Sequence, residues 1–123
     1  MSANGKGALA GIKVLDLTQF EAGPSCTEAL AWLGAEVVKV ESPKGGDQGC
    51  LVASEDGKTD AFYFLIFHAN KKSVTCDLKS EKGPEIVKKL AAEADVMIEN
   101  FAPGVIERLG LGYDAIKAVN PSI

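Results

Sequence analysis

Short runs of β-branched and other apolar residues alternate along the chain with segments whose apolar residues recur at helical spacing. Residues 12–18 (IKVLDLT) and 36–41 (EVVKVE) have the composition of β-strands. Residues 25–33 between them predict a helix, because their apolar positions follow the i, i+3, i+4, i+7 rule. This order predicts a strand–helix–strand unit with two parallel strands.

Local signals predict where that first helix begins and ends. Ser25 and Glu28 have the three-residue spacing of a capping box, which predicts a start at Ser25. Gly34 stands where a left-handed residue commonly ends a helix.

The second half of the chain continues the alternation. The apolar residues 61–70 (AFYFLIFHAN) fit either a short buried helix or a strand, and we favour the helix. Strands are predicted over residues 73–78 and 94–100, separated by a helix that Ser80 would cap and that would end at Ala94. A helical turn over 103–109 and a helix over 113–119 follow.

The predicted fold class is α/β, a Rossmann-like parallel sheet with flanking helices. We expect residues 1–123 to be the incomplete N-terminal part of a larger domain, because the chain stops where a further strand would begin.

Composition and charge narrow the possible functions. The 123 residues are 46% hydrophobic and 24% charged, which is typical of one globular domain. The net charge of −4 argues against nucleic acid and anionic membranes as partners. The longest apolar run, residues 61–67, is too short to cross a bilayer, and the N-terminus lacks a secretory or transit pattern. We therefore predict a cytoplasmic protein.

The three cysteines predict neither a disulfide framework nor a metal site. Cys26, Cys50 and Cys76 are an odd number and are widely spaced, so we interpret all three as reduced. Cys26 and Cys76 are predicted to be small core residues.

Candidate chemistry lies in the loops TQFEAGP, ESPKGGD, DLKS and ENFAPG, each of which follows a predicted strand. Ligands of open parallel sheets bind at this edge, and helix N-termini there suit phosphates, so a nucleotide-like ligand is expected. The first loop argues against a dinucleotide. It has one glycine rather than GxGxxG, Pro24 lacks an N–H donor, and Glu21 places a negative charge where pyrophosphate would lie.

Four basic or titratable residues have two interpretations each. His68, the only histidine, is predicted to be half-buried and hydrogen-bonded rather than catalytic. Lys71 and Lys72 fit either a small anion-binding patch or a solvated loop. Arg108, the only arginine, fits either a phosphate contact or a surface charge beside Glu107.

Three long stretches of the chain resemble the N-terminal part of the family III CoA-transferases, which include formyl-CoA transferase, carnitine CoA-transferase and α-methylacyl-CoA racemase. They are LAGIKVLDLTQFEAGPSCTEALAWLGAEVVKVESPKGGD, FYFLIFHANKKSVTCDLKSEKG and ADVMIENFAPGVIERLGLGYDAIKAVNPSI, which cover nearly all of residues 9–123. The resemblance implies transfer of CoA from an acyl-CoA to a carboxylic acid, without a metal, in an interlocked homodimer.

By position, the resemblance implies a set of residues that contact CoA as substrate: Glu21, Ala22, Asp77, Leu78, Lys79, Asn100, Phe101, Ala102 and Arg108. Glu21 would lie near the reacting end. Two departures from the family pattern stand out. Formyl-CoA transferases have glutamine at the position of Glu21, so an acceptor other than oxalate is expected. Many members have a basic residue where Ser42 stands, and Lys44 is a candidate substitute.

The resemblance also implies an aspartate nucleophile that carries the acyl group and then CoA, and that residue lies beyond Ile123. The 123 residues alone are therefore expected to be inactive. Three alternatives stay open: a racemase of the same family, a non-catalytic CoA-binding remnant, and a general α/β nucleotide-binding module.

Overall fold

The computed structural model describes residues 7–50, 52, 54 and 59–123. The strands found there are β1 (Lys13–Asp16), β2 (Glu36–Glu41), β3 (Lys72–Thr75) and β4 (Val96–Ile98). The helices found there are α1 (Ala22–Trp32), α2 (Phe62–Phe67), α3 (Gly83–Ala91), α4 (Val105–Arg108) and α5 (Tyr113–Val119). None of these helices is long and apolar enough to cross a membrane.

The four strands form one parallel sheet in the order β3-β2-β1-β4. Helix α1 connects β1 to β2, and α3 lies between β3 and β4 in the chain. This arrangement confirms the predicted α/β class with a parallel sheet and flanking helices. Because all strands run the same way, the loops that follow them meet at one edge.

Strand alternation divides the core into two layers. Leu15, Leu17 and Val40 pack with Val87 and other residues of the α3 and α5 side. On the opposite face, the core contains Val14, Ala31, Ala35 and Val37, with Ala31 supplied by α1. Side chains of successive strand residues point to opposite faces, so Asp16 shares the α1 side with Val14.

Helix α1 begins at Ala22, three residues before the predicted start. The capping-box prediction is wrong: the N-cap is Glu21 and has no side-chain cap, while the Ser25 hydroxyl donates to the Ala22 carbonyl at 3.1 Å inside the first turn. Pro24 fits this turn because its missing N–H would have no partner within the helix. Gly34, at φ 102°, confirms the predicted left-handed stop.

The later elements agree in type and differ at their ends. Residues 62–67 are helical, as favoured. Helix α3 begins at Gly83, and Ser80 supports it from outside the helix, its hydroxyl accepting a hydrogen bond from the Gly83 N–H at 3.0 Å. The connection between β2 and α2 is described only in part, because residues 51, 53 and 55–58 lie outside the described residues.

The cysteine predictions hold in two respects and fail in one. Cys26, Cys50 and Cys76 are all free thiols. Cys76 is buried as predicted, but Cys26 is exposed, so its assignment to the core is wrong. The buried face of α1 runs through Gly23, Pro24, Thr27 and Ala31, so Thr27 rather than Cys26 is buried.

Candidate functional site

The loop from Leu17 to Glu21 makes a tight turn between β1 and α1. Phe20 has φ 65°, a left-handed conformation that non-glycine residues rarely adopt. A Cβ at Gly23 would lie 2.2 Å from the Cβ of Thr18, so only glycine allows the helix to pack this closely on the loop. Close packing therefore restricts the backbone of this loop to one conformation.

All the residues that the resemblance assigns to CoA lie beyond the carboxyl end of a strand. They follow β1 (Glu21, Ala22), β3 (Asp77, Leu78, Lys79) and β4 (Asn100, Phe101, Ala102), with Arg108 at the end of α4. Strands β3 and β4 are the two outermost strands of the sheet. At the usual strand spacing, the loops that follow them are therefore about 14 Å apart along the carboxyl edge. An extended ligand is needed to touch all of them.

The two cations of this set have no competing partner. The Lys79 and Arg108 side chains are exposed and form no ion pair with any described residue. Arg108 is thus an exposed surface charge, as one of its two interpretations expects, and its guanidinium is not paired with Glu107. Free guanidinium and ammonium groups suit a phosphate-bearing ligand.

The loop after β3 has its own local order. The Asp77 carboxylate accepts a hydrogen bond from the Lys79 N–H at 3.0 Å, and the Ser80 hydroxyl donates to the Asp77 carbonyl at 2.7 Å. Lys44, the candidate substitute after β2, is exposed, and its N–H donates to the Ser42 hydroxyl at 3.1 Å.

Beneath the carboxyl edge lies a buried ionic cluster that connects β1, α1 and the start of β3. The Lys71 ammonium lies 3.2 Å from the Asp16 carboxylate and donates to the Thr27 hydroxyl at 2.6 Å and the Pro24 carbonyl at 2.9 Å. Thr27 in turn donates to Asp16 at 2.5 Å. The Lys71 side chain is only 2% exposed, so both the anion-patch and the solvated-loop interpretations of Lys71 are wrong. Lys72 instead forms an exposed pair with Glu36.

A second buried ion pair joins β2 to the loop that follows it. The Lys39 ammonium lies 2.8 Å from the Asp47 carboxylate and also donates to the Thr18 carbonyl. The other Asp47 oxygen accepts hydrogen bonds from the N–H groups of Phe20 (3.2 Å) and Gly49 (2.7 Å). Burial by itself would raise the pKa of Asp47, but the hydrogen bond and charge of Lys39 and the Gly49 N–H hold it below its ordinary value.

Asp16 follows the same balance. Burial would raise its pKa, but Lys39, the hydroxyls of Thr18 and Thr27, and Lys71 hold it below its ordinary value. Two carboxylates and two ammonium groups thus share one buried layer. Such charges are tolerated only when paired and hydrogen-bonded, as they are here.

His68 lies at this cluster but is held neutral. Burial, with the nearby positive charges of Lys39 and Lys71, lowers its pKa to about 4. Its Nε2 is 3.6 Å from the Asp47 carboxylate, and neither ring nitrogen has a hydrogen-bond partner among the described residues. The hydrogen-bonded interpretation is therefore wrong. The ring is instead stacked on Phe64, with 4.3 Å between centroids.

Sequence reasoning missed this cluster, although a signal was present. Asp16 and Lys39 each interrupt an apolar strand, and they lie directly opposite each other in the β1–β2 register. Charges of opposite sign at inward positions of adjacent strands indicate a buried pair. Asp47 and Lys71 lie in loops, so only the tertiary structure shows that they belong to the buried ionic cluster.

A groove of about 450 Å³ lies along the edge strand β4, from Asp95 to Glu99. Its walls include Met97, Leu111 and Ile116, and none of the residues assigned to CoA lines it. Among the residues that the structure describes, no group of three or more His, Cys, Asp and Glu side chains could hold a metal ion.

Known proteins resemble the chain along almost its whole length. It is 48% identical over 117 residues to a formyl-CoA:oxalate CoA-transferase of Streptomyces coelicolor, and 43% identical over 116 residues to one of Afipia carboxidovorans. Each match covers 94% of this chain but only 28% and 27% of those relatives. The chain thus spans little more than a quarter of their length.

Solved structures agree. A hypothetical protein from Mycobacterium tuberculosis has a TM-score of 0.86 and 44% identity over 95% of this chain and 31% of its own. A CAIB/BAIF family protein from Brucella suis has a TM-score of 0.81 and 42% identity over 94% of this chain and 31% of its own. The profile of CoA-transferase family III matches residues 9–123. With the fold, the sequence relatives and the family profile in agreement, the chain belongs to CoA-transferase family III.

Proposed function

We propose that the full-length protein containing this chain transfers CoA from an acyl-CoA to a carboxylic acid, and that these residues supply much of its CoA-binding surface. The main support for this proposal is that the loops after β1, β3 and β4 lie along one edge of the sheet. Lys79 and Arg108 present two unpaired cations there. CoA is long and carries several phosphates, which suits an edge about 14 Å wide with free positive charge.

Within this proposal the two ends of the site have different roles. Arg108 and Lys79 hold phosphate groups. Glu21, exposed at the start of α1, lies near the reacting thioester. Asn100, Phe101 and Ala102 contribute backbone and apolar contacts, because the Asn100 side chain is already committed to Gln19.

The reaction is proposed to use an aspartate outside these 123 residues. Its carboxylate attacks the thioester carbonyl and expels the CoA thiolate, which leaves an acyl-aspartyl anhydride. The thiolate then attacks the aspartyl carbonyl, releases the acyl group as a carboxylate and forms an aspartyl-CoA thioester. The acceptor acid takes CoA by the reverse sequence. In this scheme the described residues bind and orient CoA without forming a covalent bond.

The test is to incubate the purified full-length protein with one acyl-CoA and a panel of carboxylic acids, and to identify new CoA thioesters by mass spectrometry. Transfer is the expected result. Exchange of the α-hydrogen of a 2-methylacyl-CoA with solvent deuterium, without transfer, would show a racemase. Binding of CoA with neither reaction would show a non-catalytic module, and tighter binding of another nucleotide would overturn the CoA assignment. Hydroxylamine added during turnover should convert the activated aspartyl carbonyl to a hydroxamate.

The acceptor acid is a separate question. The relatives named above are formyl-CoA:oxalate CoA-transferases, and this chain differs from the formyl-CoA transferase pattern by having Glu21. The Glu21 carboxylate would lie beside the proposed aspartate nucleophile. It would repel a dianionic acceptor such as oxalate more strongly than a monoanionic acid. We therefore expect a less highly charged acid to react faster than oxalate in the same panel.

We also propose a cytoplasmic homodimer for the full-length protein. Exposed apolar side chains on α1 and α2 support an association surface: Trp32 is 65% exposed, Phe62 80% and Ile66 58%. Large apolar groups at this exposure are commonly covered by another chain or segment. Sedimentation of the full-length protein should give twice the subunit mass, and a monomer at working concentration would contradict the dimer.

A further inference from the structure

We propose that Asp47 and Lys39 are positioning residues for CoA transfer: together they clamp the loop of residues 17–21, which carries Glu21 at the reacting end. This inference rests on the proposed function. It concerns two residues that are buried and so cannot themselves contact the substrate.

Asp47 connects the loop after β2 to the loop after β1. One carboxylate oxygen accepts from the Phe20 N–H and the Gly49 N–H, and the other lies 2.8 Å from the Lys39 ammonium. The side chain has no exposed surface. With two N–H donors and one cation, the carboxylate is fixed in position and fixes its partners in turn.

Lys39 completes the clamp from beneath. Its ammonium donates to the Thr18 carbonyl while pairing with Asp47, so the two residues hold positions 18 and 20 of the same loop. Phe20, between these contacts and Glu21, has φ 65°. A left-handed non-glycine residue persists only where surrounding contacts determine it, and the Asp47 contact to the Phe20 N–H is one of them.

The consequence for Glu21 is geometric. It directly follows Phe20 and is the N-cap of α1, and it has no side-chain cap of its own to hold it. If the clamp loosens, Phe20 relaxes and the direction of Glu21 changes. Small displacements of a group near reacting atoms reduce turnover strongly, whereas distant phosphate contacts still bind CoA.

Asp47→Asn in the full-length protein is the first variant, because asparagine keeps an oxygen for the two N–H groups and removes the charge that holds Lys39. We expect kcat to fall about 10-fold or more while KM for acyl-CoA changes less than about 3-fold. Asp47→Ala should lose more than Asp47→Asn. The matched control is Asn120→Ala, which removes two buried hydrogen bonds to Ala91 and Ala94 outside the clamp. It should leave kcat per folded molecule unchanged.

A double-mutant cycle tests whether the two residues act as a unit. Lys39→Met and Asp47→Asn should each reduce kcat, and the double variant should lose much less than the product of the two effects. Independent, multiplicative losses would overturn the clamp.

Amide hydrogen exchange tests whether Asp47 and Lys39 hold the loop in place, even if the protein does not transfer CoA. In Asp47→Asn, the segment 17–22 should exchange faster while β1 and α3 keep their protection. Unchanged exchange overturns the clamp whatever the kinetics. Faster exchange in a transferase whose kcat is unchanged overturns the positioning role. Faster exchange in a protein without any CoA transfer supports the clamp and rejects the proposed function with its positioning role.

Discussion

The side-chain amide of Asn100 is paired with the backbone of Gln19. Its oxygen accepts a hydrogen bond from the Gln19 N–H at 2.9 Å, and its nitrogen donates to the Gln19 carbonyl at 2.8 Å. The two residues are 81 positions apart, so this contact ties the loop after β4 to the loop after β1. Asn100 thus braces the loop 17–21 from the side opposite to Asp47.

Asn100→Ala should lower the free energy of unfolding of the full-length protein by roughly 1–2 kcal/mol, because two modest hydrogen bonds are lost and solvent partly replaces them. Urea denaturation measures this. Lys79→Ala is the matched control, since its exposed side chain has no ion-pair partner among the described residues. Equal stabilities of the two variants would contradict the bracing role of Asn100.

Arg108→Ala should weaken CoA binding by about 1.5–3 kcal/mol, the usual contribution of a charge-assisted phosphate contact. Titration calorimetry with CoA measures the dissociation constant. Arg108→Lys should retain part of the affinity, because it keeps the charge and loses the planar fork. Lys13→Ala is the control, because Lys13 lies at the amino end of β1, away from the proposed CoA site. It shows how much affinity is lost when any one positive charge is removed. An unchanged dissociation constant for Arg108→Ala would remove this residue from the site.

Glu21→Gln should alter the acceptor preference or the rate more than the affinity for CoA. The substitution removes one negative charge at the proposed reacting end and leaves the proposed phosphate contacts in place. Relative rates with oxalate and with a monocarboxylic acid, measured alongside the CoA dissociation constant, decide the point. We expect the rate with oxalate to rise most. A change confined to CoA affinity would show that Glu21 lies at the other end of the ligand.

His68 should make stability depend on pH between its unfolded and folded pKa values. Its pKa is about 4 in the folded protein and near 6.5 when exposed, so the unfolded chain binds more protons in this interval. Its contribution is therefore complete above pH 6.5 and is lost progressively as the pH falls toward 4.

His68→Phe keeps an aromatic ring against Phe64 and removes the titrating group. Urea denaturation between pH 7 and pH 4.5 should show a smaller loss of stability in this variant than in the wild type. The lowered pKa values of Asp16 and Asp47 affect stability in a different range, as the pH falls from 3.8 through their folded values. Identical pH profiles for variant and wild type above pH 4.5 would contradict the buried neutral state of His68.

The pattern of the sequence determined the elements and their order. Local composition and stop signals identified Glu36–Glu41 and Tyr113–Val119 with the bounds that the structure has. Parallel pairing followed from the alternation of strands and helices, and Gly34 indicated the helix stop because few other residues adopt its backbone conformation. The general rule for ligands of parallel sheets pointed to the carboxyl edge, and the family resemblance assigned residues in the same loops. These properties depend on local chemistry and on residue order, which a sequence contains.

Only the tertiary structure decided how that edge is supported. Helix α1 begins at Ala22, and its first turn packs Gly23 against Thr18, a contact that no local capping signal describes. Lys71 is buried because Asp16 and Thr27, far from it in sequence, together neutralise and solvate its charge. The clamp of Asp47 and Lys39 exists for the same reason. A buried charge is stable only with partners that the fold brings together, so its place cannot be predicted from its neighbours in the chain.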